Sequence, residues 1–178
     1  MADTRAGIRR PGGATVPVHG GTMNLAESTH EFELLLARGG LAAAIGWLNA
    51  SVPHRYTAAY RIAAAQLHSV YVHDKRGELP PGNLSTVDLD RSFCQFAVQA
   101  NGAIVADAAS DPRLADISAA SKVVAYCGVP IGAGDVDLFG TLCHFDSQAR
   151  AVTDAQFALL EAAGQQLYPY LMAAGFPR

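Results

Sequence analysis

Three side chains in this sequence offer nucleophilic or redox chemistry: Cys94, Cys127 and Cys143. Such chemistry needs a thiolate, and a dithiol cycle needs a second thiol within disulfide reach. Cys94 sits in SFCQF, Cys127 in AYCGVP and Cys143 in TLCHFD. They could meet in space if the helix carrying Cys94 caps the hairpin carrying the other two. All three also have a simpler role open to them, because a buried Cys packs as a small hydrophobe. Their number is odd, no CxxC occurs, and the Gly-, Pro- and Arg-containing start lacks a secretory leader pattern. Reduced thiols in a cytoplasmic protein are therefore expected.

The remaining polar groups point to little catalysis. His144 adjoins Cys143 and is conceivable as an axial haem ligand, but it lies near a strand end. His54, His68 and His73 show no ligand spacing, and no zinc, Walker or Rossmann pattern is present. No metal is expected, and the sequence identifies no cofactor. Asp107, Asp111 and Arg113 fall together in ADAASDPRL. Asp111 before Pro112 reads as a helix cap, with Arg113 pairing with an acid. Alternatively, Asp107 or Arg113 contacts a polar ligand. Phe93 and Tyr126 are the aromatic candidates to contact one, and Cys94 and Cys127 are the leading cysteines to touch it. Adjacent strand residues face opposite sides, so Tyr126 and Cys127 cannot both point into one pocket, nor can Cys143 and His144.

The elements that would position these residues follow from pattern. Residues 123–146 contain two almost continuously apolar runs, 123–131 and 138–145, joined by a Gly/Asp-rich turn. They read as a hairpin in the middle of a sheet, covered on both faces. Residues 25–49 read as helix, capped by Ser28 or Thr29, with a break at Gly39–Gly40. Phe32, Leu35 and Leu36, then Leu41, Ile45 and Leu48, mark its buried face, and Trp47 reads as core. Residues 56–63 and 67–73 form a first hairpin. Tyr56, Ala58, Tyr60 and Ile62 share one face of it. Leu67, Ser69, Tyr71 and His73 oppose His68, Val70 and Val72. Asp88 or Asp90 caps a short helix through residues 92–100, which ends at Asn101–Gly102. A short strand spans 103–107, and a short helix begins at 111. Thr153 or Asp154 caps a last helix to about residue 174. Phe157, Leu160, Gly164, Leu167 and Leu171 lie along one face, and Pro169 is a kink point. Residues 1–22 lack a hydrophobic period and read as a flexible tail before a single domain, 23–178. The order gives an α+β fold.

Composition sets the remaining bounds. Half of the 178 residues are hydrophobic and only 16% are charged. The charged share is below the roughly 25% of typical soluble domains, which favours further burial in an oligomer. Net charge is −3 and the basic residues are scattered, so nucleic acid is not an expected partner. No run reaches the roughly 18 apolar residues of a membrane span.

SFCQFAVQANGAIVADAASDPRL, AYCGVPI and GTLCHFD, at these separations, resemble a GAF domain of bacterial signalling proteins. RGGLAAAIGWLNASVPHRYTAAYRI resembles the start of that module. The resemblance spans roughly residues 25–171. It implies a GAF/PAS-like antiparallel sheet of five or six strands. The terminal helices would pack on one face and form a homodimer bundle, while short helices and loops enclose a small-molecule pocket on the other. It also implies a non-enzymatic sensor or regulatory module without an output domain, acting through a separate signalling protein. Ligand binding would order residues 74–90 and 110–121. One stand-alone group with this fold reduces free methionine sulfoxide with Cys thiolates. That makes a thiol oxidoreductase using Cys94, Cys127 and Cys143 the alternative, although their contexts do not match that group. A degenerate dimerisation module is the third reading. The Asn-Lys…Asp-Glu signature of cyclic-nucleotide binding is absent.

Overall fold

The computed structural model describes residues 16–18, 21–79, 86–132 and 137–177. Expectations for the rest of the tail, and for parts of the loops at 80–85 and 133–136, lie outside these residues. The described residues form fifteen elements. Within the segment expected to be a tail, β1 (Val16–Val18) and β2 (Gly21–Met23) pair antiparallel.

Helix α1 (Leu25–Ala50) starts where expected, but neither Ser28 nor Thr29 caps it. Asn24 does, in a reciprocal capping box. Its side chain accepts the Glu27 N–H at 3.0 Å, and Glu27 accepts the Asn24 N–H at 3.0 Å. An Asn followed three residues later by Glu is the pattern that satisfies two orphan donors at once. The Gly39–Gly40 break is present. Gly40 adopts φ 71° and ψ −169°, a left-handed region closed to most side chains, and kinks the helix there.

The main sheet has six strands, all antiparallel. They are β3 (Tyr56–Ala63), β4 (Gln66–Asp74), β5 (Thr86–Asp88), β6 (Ala103–Val105), β7 (Ala125–Gly132) and β8 (Leu138–Asp146). Their spatial order is β5-β4-β3-β8-β7-β6. The two apolar runs of residues 123–146 thus lie inside the sheet, as their unbroken hydrophobicity predicts.

The alternation expected in β4 is corrected. Ala59 pairs with Tyr71 while Tyr60 pairs with Ser69, which leaves Val70 as an extra residue in a bulge. The bulge switches the faces: Leu67 and Val72 share one side, and Val70 and Tyr71 pack on the other.

Between the strands lie α2 (Cys94–Ala100) and α3 (Ala115–Ser121), with 3-10 turns at Leu89–Arg91, Ala108–Ser110 and Pro112–Leu114. Helix α2 begins later than expected, and neither Asp88 nor Asp90 gives it a side-chain cap. Asn101 ends it in the left-handed conformation. Helix α4 (Asp154–Ala173) has its own capping box, Thr153 with Gln156, and continues through Pro169.

Two apolar layers result. On one sheet face, α1 and α4 bury Phe32, Ile45, Leu48, Phe157, Leu160 and Leu167 against Ala59, Val129 and Leu142. On the other, α2, α3 and the turns cover Ala58, Leu67, Tyr126 and Cys143. The helix faces read from spacing are the faces that are buried. Trp47 packs at the edge of the first layer.

Candidate functional site

A cavity of about 440 Å³ opens on the sheet face opposite α1 and α4. Alternation along the strands decides which side chains reach it. From β7, Tyr126 lines the cavity and Cys127 does not. From β8, Cys143 lines it, and His144 packs on the far side. Tyr56 and Tyr60 of β3, Leu67 and Val72 of β4, and Phe93 and Phe145 form the apolar wall. Leu79 and Val87 close one flank, and Ser121 at the end of α3 with Lys122 and Val123 after it close another. Lys122, Asp146 and Ser147 contribute the polar lining.

Two thiols meet in the lining of the cavity. Cys94 is the first residue of α2, 4% exposed, and Cys143 is 1% exposed. Both are reduced. The Thr141 hydroxyl donates to Cys94 Sγ at 3.3 Å. The adjacent Cys143 S–H, together with the hydroxyls of Thr141, Tyr126 and Ser92, holds the Cys94 thiol below its ordinary range despite burial. Cys143 moves the opposite way, because a thiolate beside it at Cys94 and burial both oppose its own ionisation. Cys143 lies between Gly128 and Ala58 on the neighbouring strands, and the Tyr126 phenol fills the space over Gly128 beside it.

Tyr126 completes this group. Its ring stacks on Phe93, with centroids 5.6 Å apart. Its hydroxyl is buried and has no partner of good hydrogen-bond geometry. Its polar neighbours are the thiols of Cys94 and Cys143, weaker partners than an oxygen or nitrogen group. Burial, with the two nearby thiols, keeps it protonated.

Phe93, Cys94 and Tyr126 are therefore brought together as expected. Cys127 is not. It is 1% exposed in the core beneath α4, and burial raises its thiol pKa. Asp107 and Arg113 are also elsewhere, around a separate polar depression with Ser110 and Asp111. Asp107 accepts the Ala109 N–H at 3.0 Å. Asp111 accepts the Arg113 N–H at 3.0 Å and its guanidinium in a two-point pair. These are capping and pairing roles. Cys143, Tyr60 and Val72 were not singled out for ligand contact in the sequence. The shared face of Tyr56 and Tyr60 was the signal that pointed toward the wall.

On the opposite face lies a buried polar cluster that spacing did not reveal. Asn49 Nδ2 donates to Thr57 Oγ1 at 2.7 Å, and the Thr57 hydroxyl pairs with His144 Nδ1, also at 2.7 Å. Burial keeps the His144 ring neutral. His54 lies 6.0 Å from it, centroid to centroid, and neither ring nitrogen of His54 has a partner. His144 faces away from the cavity and serves this cluster. Asp146 accepts the backbone N–H of Arg55 and of Gln148 and the Arg150 guanidinium, closing the turn after β8.

Several solved structures share this fold. The phycocyanobilin-bound GAF domain of a cyanobacterial phytochrome matches 86% of this chain and 98% of its own, at 13% identity and TM-score 0.64. The chain has the GAF fold. The GAF domain of an Acinetobacter phosphoenolpyruvate-protein phosphotransferase matches 84% of this chain and 94% of its own, at 12% identity and TM-score 0.67. Free methionine-R-sulfoxide reductase from Neisseria meningitidis, in complex with its substrate, matches 85% and 90%, at 16% identity and TM-score 0.64. No family model and no curated relative matches the sequence. GAF architecture is thus common to sensors and to an enzyme, and at these identities the likeness extends to the fold alone. Among the described residues, no group of three His, Cys, Asp or Glu could hold a metal, and no helix is long and apolar enough to cross a membrane.

Proposed function

We propose that this GAF module senses a small, largely apolar molecule and passes the signal to a separate protein. The observation that carries this reading is the cavity itself: an aromatic and aliphatic wall with few polar groups, among them the Tyr126 phenol and the thiols of Cys94 and Cys143. Its volume falls in the roughly 300–1,000 Å³ range of small-molecule sites. Two segments that do not belong to the central strands supply its flanks, Leu79 with Val87 and residues 121–123. A ligand bridging them would order both and shift the population toward the closed form.

The chain would act as a cytoplasmic homodimer through α1 and α4. Leu35, Tyr168 and Met172 stay half-exposed on that layer and give an apolar seam for a second copy. Native mass spectrometry of the protein purified from its own cells tests the reading. A retained small molecule supports it, and bare protein in every preparation argues against it.

The contact between Cys94 and Cys143 favours a second reading, thiol-dependent reduction of free methionine sulfoxide. That substrate carries an ammonium and a carboxylate, which need charged or hydrogen-bonding partners when buried. Among the charged groups of the lining, Lys122 and Asp146, Asp146 is already engaged by Arg55 and Arg150. The sensor reading therefore leads. Turnover of methionine sulfoxide that disappears in Cys94→Ser would reverse that order.

A further inference from the structure

We propose that Cys94 and Cys143 form a peroxide-reducing dithiol whose substrate is an apolar organic hydroperoxide. The inference needs the cavity but not a signalling role for it.

Three features of the geometry carry it. Both sulfurs line one open cavity, and they are side by side on different elements, α2 and β8. The Thr141 hydroxyl donates to Cys94 Sγ at 3.3 Å, a contact that favours the thiolate and marks Cys94 as the attacking sulfur. The Tyr126 hydroxyl, buried and kept protonated beside Cys94 and Cys143, is a neutral donor in the same lining. It would hold the peroxide oxygen that leaves. Cys127 is excluded because it lies on the other face of the sheet.

The walls set the substrate class. Tyr56, Leu67, Val72, Phe93 and Phe145 offer apolar and aromatic surface, which hydrogen peroxide would not use and an organic group would.

The steps balance as follows. The Cys94 thiolate attacks the terminal oxygen of the hydroperoxide, an S–O bond forms and the O–O bond breaks. Cys94 becomes a sulfenic acid, and the alkoxide takes up the proton lost from the Cys94 thiol to leave as the alcohol. The Cys143 thiol then attacks the sulfenic sulfur, a disulfide forms and water leaves. Two thiols are oxidised by two electrons in total, and the peroxide bond is reduced. An external dithiol restores the pair by exchange through the cavity opening.

The test uses the full chain, reduced, desalted and treated with one equivalent of cumene hydroperoxide, followed by peptide mass mapping. The expected product is a Cys94–Cys143 disulfide, with Cys127 still a thiol. It should form on the order of tenfold faster than with hydrogen peroxide, the effect of a few buried carbons on transition-state binding. Cys143→Ser should stop at a Cys94 sulfenic acid that dimedone captures. Cys127→Ala should behave as the unaltered protein. First oxidation at Cys127, a rate no faster than free cysteine, or equal rates with the two peroxides would overturn the proposal. If Cys143→Ser does not fold, the map of the unaltered chain still decides. Failure of the sensor reading leaves this measurement unaffected, because it needs no retained ligand.

Discussion

The Tyr126 hydroxyl lies where Gly128 would carry a Cβ. The two residues share a face of β7, and the ring runs along the strand beneath Phe93. A methyl at position 128 would collide with the phenol. Gly128→Ala should therefore push the ring off Phe93 and into the cavity, and destabilise the fold by about 1–3 kcal/mol. Urea unfolding reads the loss. An unchanged midpoint would show that the close approach is not needed.

Tyr126→Phe makes the converse case. It deletes a buried hydroxyl whose polar neighbours are the weakly accepting thiols of Cys94 and Cys143, and keeps the ring stack. Stability should be unchanged or higher by about 1 kcal/mol in the empty protein. A loss of 2 kcal/mol or more, on the scale of a broken buried hydrogen bond, would mean that the hydroxyl has a partner.

His54 and His144 make the fold sensitive to acid. Burial lowers the His54 pKa to about 4 from an ordinary 6.5, opposed by Asp146 and assisted by Arg150 and Lys75. Burial also holds His144 well below its usual range, with His54 and Lys75 adding to the effect. Both rings are neutral in the folded state. As pH falls below 6.5 the unfolded chain takes up protons first, so stability is complete above 6.5 and declines toward pH 4. His54 alone accounts for about 3 kcal/mol across that window. Thermal melts from pH 7.5 to 4 should show the fall, and a flat profile between pH 6.5 and 4.5 would contradict it.

Arg55 and Asp74 anchor one cavity flank. Arg55 meets both Asp74 oxygens at 2.7 and 2.8 Å, and Asp74 also accepts the backbone N–H groups of Arg76, Glu78 and Leu79. The Arg55 pair holds the Asp74 carboxyl far below the usual carboxylate range. Asp74→Ala should expose those three amides to faster hydrogen exchange while the central strands keep their protection. Equal exchange in both proteins would place the loop's order elsewhere.

The apolar patterns revealed the frame of the fold because burial imposes its period on the sequence. Phe157, Leu160, Leu167 and Leu171 recur at helical spacing and lie buried along α4. Residues 123–131 and 138–145 are apolar on both faces, and they lie inside the sheet. The site was less legible. Which of Tyr126 and Cys127 faces the cavity depends on strand register, and register comes from pairing partners far along the chain, such as Gly128 with Cys143. The Val70 bulge reversed a face that alternation alone could not reverse. The contact between Cys94 and Cys143, and that between Thr57 and His144, join residues that no short-range pattern links. Asn24 was missed as a cap because the later Ser28 and Thr29 compete as signals.

The central claim is that the cavity bounded by Phe93, Tyr126 and Cys143 takes up a small apolar molecule. Two-dimensional NMR of the labelled protein with a library of aromatic fragments tests it most directly. The prediction is that binding fragments shift the amides of Cys94, Tyr126, Cys143 and Phe145, and that Val72→Trp, which fills the cavity, abolishes those shifts. No binding fragment, or shifts confined to α1 and α4, would contradict it.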